Sequence, residues 1–181
     1  MSTPHLLVDS HNHTIGSPDE RQHAAQQAIW EQLTHGLTEH PRQWRSLEEG
    51  AVFLGEKVDE LWEAVRSHNS GLARAQAAQV GARALRFIAD LYEPSGDPVT
   101  RCRVAAAESH HPSRLVGPRG RSNSSPHEAF GFLRREYDAL WSAIRFDEPA
   151  RPPAARVAAA AARFIAEFHT HPAALVAVAD Q

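Results

Sequence analysis

Apolar residues in this chain recur every three or four positions. Between Leu47 and Arg66, the residues Leu54, Val58, Leu61 and Val65 mark one face, and between Pro126 and Phe146 the residues Leu133, Tyr137, Leu140 and Ile144 do the same. That spacing follows the 3.6-residue period of a helix, not the alternation of a strand. The pattern predicts five long helices, about Pro18–Leu37, Leu47–Arg66, Leu72–Leu91, Pro126–Phe146 and Pro153–His169, and a short one around Val99–Ser109. Few segments alternate, so no sheet is expected. Three starts carry a serine followed three residues later by glutamate: Ser17 and Glu20, Ser46 and Glu49, Ser125 and Glu128. In that spacing each side chain can cap a free backbone N–H at a helix start. Loops at 67–71 and 147–152 close two helical hairpins, and the Pro-, Gly-, Ser- and Arg-rich stretch 111–125 reads as a linker.

The two long amphipathic segments are also copies of each other. Ser46–Arg66 and Ser125–Arg145 align without gaps and share nine of twenty-one residues, among them Phe53/Phe132, Leu54/Leu133, Asp59/Asp138, Leu61/Leu140 and Trp62/Trp141. A second match follows each, RFIAD at Arg86–Asp90 and RFIAE at Arg163–Glu167. One amphipathic hairpin cannot bury its own stripe, whereas two can cover each other. The expected fold is therefore all-α: a tandem repeat of a helical hairpin forming an intramolecular four-helix bundle. An extra N-terminal helix carrying Ile29, Trp30 and Leu33 packs alongside. The expected organisation is an N-terminal tail 1–16, a first repeat 17–91, a linker 92–125 that holds the short helix, a second repeat 126–171 and a C-terminal tail 172–181. Trp62 and Trp141 are expected as equivalent anchors at the core or its edge.

Composition adds little to this picture. With 181 residues, 42% of them hydrophobic, and a net charge of -3, the chain has the make-up of a globular domain without an electrostatic case for nucleic acid or an anionic membrane. The start has no basic region ahead of its three-residue apolar run, so no signal peptide is expected. One cysteine, Cys102, excludes an internal disulfide and fits a reducing cytoplasm.

The run LGEKVDELWEAVR followed by AQAAQVGARALRFIADL resembles the MazG-like branch of the all-α nucleoside triphosphate pyrophosphohydrolases, and SPHEAFGFLRREYDALW looks like the same helix further drifted. The resemblance covers Ser46–Leu91 and Ser125–Phe168. It implies an E-x-x-E pair on one helix and an E-x-x-D pair on the next. Those acids would hold Mg²⁺ on a triphosphate that water cleaves to nucleoside monophosphate and pyrophosphate. Carboxylates three residues apart share a helical face and can converge on a hard cation. Here the corresponding positions are Lys57 and Glu60, then Gln76 and Gln79, in the first copy. In the second they are Glu136 and Ala139, then Pro153 and Arg156. Each copy keeps one acid of four, and Lys57 and Arg156 bring positive charge to the place of a dication.

The leading expectation is a MazG-like binding or scaffold protein, monomer or homodimer, that takes a nucleotide or a protein and has lost the standard Mg²⁺ site. Lys57, Gln76, Gln79, Asp138 and Arg156 are its candidate ligand-binding residues. The alternative is a Mg²⁺-dependent nucleotide pyrophosphohydrolase with a rebuilt acid cluster, Glu56, Glu60 and Glu63 on one helix face with Glu136 opposite. A third reading places a metal on the histidine pairs, His11 with His13 or His169 with His171, where alternating His side chains on a strand could share an ion. Cys102 stands between Arg101 and Arg103, which would lower its thiol pKa if both lay near the sulfur. The basic segment of Arg114, Arg119 and Arg121 is expected to be a solvated loop.

Overall fold

The computed structural model describes residues 16–93, 95–110 and 122–168. Both His-x-His pairs and the basic segment 114–121 lie outside them. Six helices make up the described part, with no strand among those residues: α1 (Pro18–Glu39), α2 (Leu47–Arg66), α3 (Ser70–Tyr92), α4 (Pro98–Ser109), α5 (Pro126–Arg145) and α6 (Arg151–Glu167).

Local chemistry sets most boundaries. Ser17 and Glu20 form a reciprocal capping box at the start of α1. Ser46 and Ser125 accept the N–H of Glu49 and Glu128. Those two glutamates turn one residue further back than a capping box would take them, accepting from the N–H of Arg45 at 2.8 Å and of Ser124 at 2.6 Å. The Arg45 N–H, helped by Arg42, holds the Glu49 carboxyl below its ordinary pKa. α3 starts at Ser70, two residues ahead of the expected Leu72, because the Asn69 side chain accepts the Leu72 N–H. α6 starts at Arg151 and carries Pro152 and Pro153 in its first turn, where their missing N–H groups leave no hydrogen bond unmade.

Four helices close a ring. α2 packs on α3, α3 on α6, α6 on α5, and α5 back on α2, while α1 and α4 each lie against α3 and α6. α3 and α6 are therefore enclosed, and their alanines let neighbouring helices approach closely. Phe87, Ile88, Phe164 and Ile165 fill the centre and are almost wholly buried. Each such side chain contributes roughly 1.5–3 kcal/mol through removal from water. The amphipathic residues on α2 and α5 are inward as their spacing implied: Leu54, Val58, Leu61 and Val65 are buried, and so are Leu133, Tyr137 and Leu140.

Along the α2–α5 seam, Gly55 backs onto the Tyr137 hydroxyl and Arg134 reaches Asp59 at 3.3 Å. Further along, Trp62 stacks on Phe130 with ring centroids 5.0 Å apart. Trp141 donates from Nε1 to the Tyr137 hydroxyl at 2.6 Å, and that hydroxyl donates to the Ala51 carbonyl at 3.0 Å. Trp62 and Trp141 both sit at the edge of the core, 36% exposed and partly buried respectively.

Candidate functional site

The residues singled out from sequence do not converge on one point. Lys57 donates its ammonium to both carboxylate oxygens of Glu60 at 2.9 Å. Glu63 pairs with Arg66 on the exposed face of α2. Glu136 does not face the α2 acids; it is held by Arg156 of α6 at 2.6 Å. Asp138 is bound by Arg134, which also reaches Asp59, so an arginine stands between the two aspartates. Among the described residues, no three His, Cys, Asp or Glu side chains are gathered closely enough to hold a metal ion.

The donor set therefore does not fit Mg²⁺. The one acid at the four first-half positions, Glu60, is occupied by an ammonium. Gln76 and Gln79 bring oxygen without charge, and Mg²⁺ is normally held by carboxylates and phosphates. The Gln76 Oε1 is buried with no hydrogen-bond partner among the described residues.

Something else is built there. Two adjoining clefts, of about 490 and 370 Å³, run along the first-half helices and share Glu39, His40 and Arg83 in their walls. The first also touches Arg42, Trp44, Phe53, Glu56 and Arg86; the second touches Lys57 and Gln79. The floor is rigid. Arg86 bonds Asp90 through Nε at 3.1 Å, and its Nη2 donates to the carbonyls of His40 and Arg42 at 2.6 Å each. Asp90 in turn accepts the Trp44 N–H at 3.1 Å. This network ties the 40–45 loop to α3, and Trp44 is sandwiched between Phe53 and the guanidinium groups of Arg83 and Arg86.

Arg83 differs from the other cations of the walls. Arg42 pairs with Glu49, Lys57 with Glu60 and Arg86 with Asp90. Arg83, half-buried, has the Trp44 ring 5.9 Å from its guanidinium carbon and no carboxylate or carbonyl within hydrogen-bond distance among the described residues. Burial lowers its pKa from the ordinary arginine value, and Arg86 adds to that, while Glu56 and Glu60 oppose it.

The second half closes the corresponding place. The RFIAD and RFIAE blocks are 77 residues apart, so Gln79 aligns with Arg156 and Arg83 with Ala160. Lys57 and Gln79 share a cleft wall in the first half, while their counterparts Glu136 and Arg156 are bonded to each other.

Sequence reasoning found Lys57 and Gln79 but missed Arg83, Trp44 and the Arg86–Asp90 network. The repeated RFIA block was the available signal for Arg86 and Asp90. The expectation for Cys102 is corrected: the thiol is buried in α4, and burial pushes it up to about 12 in spite of Arg101. No helix among the described residues is long and apolar enough to cross a membrane. Comparisons of the chain with protein-family models, with curated proteins and with solved structures find no match.

Proposed function

We propose that the chain is a MazG-like tandem repeat of a helical hairpin, with α1 as an additional N-terminal helix. In this reading it binds its ligand, a nucleotide or a protein segment, without hydrolysing it. The repeat is supported by bonds that recur 79 residues apart. The Trp44 N–H meets Asp90 and the Asn123 N–H meets Glu167; the Arg45 N–H meets Glu49 and the Ser124 N–H meets Glu128. His68 and Asp147, 79 residues apart, both sit at φ 55° in the hairpin turns.

The observation that carries the functional reading is the Lys57–Glu60 pair. At the place where the resemblance calls for two metal-binding acids, an ammonium already covers the one carboxylate present. Without a dication the phosphate charge is not neutralised and water is not oriented for attack. A cleft with cationic walls beside that pair still suits a charged ligand.

The test is isothermal titration of Mg²⁺ and Mn²⁺ into chelator-treated protein, with and without a non-hydrolysable deoxynucleoside triphosphate, alongside a turnover assay on the hydrolysable form. The expected result is no metal binding by the free protein and no monophosphate product. Metal binding lost on Glu60→Gln or Glu136→Gln, accompanied by cleavage, would restore the hydrolase and sink this reading.

A further inference from the structure

The misfit between the cleft and Mg²⁺ has a constructive side. The side chains lining the two clefts include four cations, Arg42, Lys57, Arg83 and Arg86, against the two acids Glu39 and Glu56. Glu39 is also engaged by His35 at 3.4 Å. Arg83 offers a planar fork of donors that no described residue uses, at the junction of both clefts. A guanidinium matches the oxygens of a phosphate in a bidentate manner, and partial burial strengthens such a bond. Lys57 lines the same wall and is held only by a neighbour three residues along its own helix.

We infer that the first-half cleft binds a phosphoanhydride chain directly on Arg83 and Lys57, without a divalent cation, and that each chain holds one. This rests on the binding reading above and deepens it. The second half cannot provide an equal site, because Ala160 replaces the free arginine and Glu136 is bonded to Arg156. The chain may belong to a nucleotide or be a free polyphosphate, since the chemistry Arg83 sees is the same. Mg²⁺ wraps the phosphate oxygens that Arg83 and Lys57 would take, so it competes with this site.

The experiment is calorimetric titration of the full chain in EDTA with inorganic tripolyphosphate in one arm and a nucleoside triphosphate in the other. One equivalent is expected to bind, with weakening when Mg²⁺ replaces EDTA. Arg83→Gln is expected to weaken binding about 10- to 100-fold, the loss of a charge-assisted hydrogen-bond pair, and Arg83→Lys less. Gln79→Glu, which places an acid beside Lys57 on a half-buried wall, should abolish binding and decides the matter if Arg83→Gln does not fold. Tighter binding in the nucleotide arm assigns the chain to a nucleotide, and equal binding to free polyphosphate. Binding only with Mg²⁺, binding indifferent to these substitutions, or no heat in EDTA at millimolar ligand would overturn the inference. Mg²⁺-dependent binding without cleavage would leave the broader binding reading standing, whereas cleavage would remove both.

Discussion

The two halves of the bundle carry the same framework and opposite chemistry. In each, an arginine of the central helix bonds an acid four residues on, and that acid receives an N–H from the segment ahead of the outer helix: Arg86, Asp90 and Trp44 in one, Arg163, Glu167 and Asn123 in the other. The hairpin turns agree as well, with Asn69 N–H on the Ala64 carbonyl at 3.1 Å and Glu148 N–H on the Ala143 carbonyl at 2.8 Å. Yet those turns read SHN and FDE. Where the first half leaves Lys57, Gln79 and Arg83 around an open cleft, the second seals the place with Glu136 and Arg156. Bonds that hold helix ends are kept in both halves, and the side chains facing solvent between α2 and α3 or α5 and α6 are where the halves diverge.

The largest expected difference between the halves is in their arginine–acid clamps. Asp90 is 3% exposed and serves Arg86, Arg101 and the Trp44 backbone, whereas Glu167 is 17% exposed. Asp90→Asn should cost about 3–5 kcal/mol, because it leaves buried guanidinium charge without a counter-ion. Glu167→Gln should cost about 1–2 kcal/mol. Urea unfolding of the two variants measures this directly, and equal losses would show that the clamps are energetically alike.

Next comes the fit of α1. Gly81 aligns with Ala158, yet a Cβ at Gly81 would lie 2.6 Å from Ile29 Cδ1. Gly81→Ala should therefore destabilise by about 1–3 kcal/mol through overpacking, and adding Ile29→Val should recover part of it. A neutral Gly81→Ala would mean that α1 can shift, and that the close approach is not required.

The thiol of Cys102, on the helix that covers the bundle beside α1, provides a pH test. Its pKa is raised by burial from 9.0 to about 12 in the folded chain. The neutral thiol's contribution is fully present below pH 9 and is lost as pH rises toward 12. Relative to Cys102→Ala, the parent chain should lose stability in that window, and its thiol should react with a disulfide reagent only on unfolding. Rapid labelling of the native protein at pH 8 would contradict both statements.

The smallest effect belongs to the bond that closes the second half. Arg156 and Glu136 are 36% and 20% exposed, so Arg156→Gln should change stability by no more than about 1 kcal/mol. Ligand stoichiometry should stay at one, since Ala160 supplies no guanidinium. A second equivalent bound by Arg156→Gln would show that the ion pair alone separates the halves.

Much of the architecture was legible because it depends on spacing along the chain. The 3.6-residue period located the helices, and the serine–glutamate starts placed three of their first turns. The start of α3 escaped because Asn69 caps it from within a polar loop. Cys102 was misjudged because neighbours in sequence say little about burial: Arg101 flanks the thiol, and helix packing still keeps it neutral.

What the amino-acid order determines by itself is the set of helices, their inward faces and the absence of paired acids where a metal would need them. Those are local properties of period, capping and residue type. Only the packed structure decides that Glu136 turns to α6 instead of α2, that Lys57 meets Glu60, and that Arg83 is left without a partner beside Trp44. A charge chooses its counter-ion by distance and burial across helices, and neither is written along a single helix.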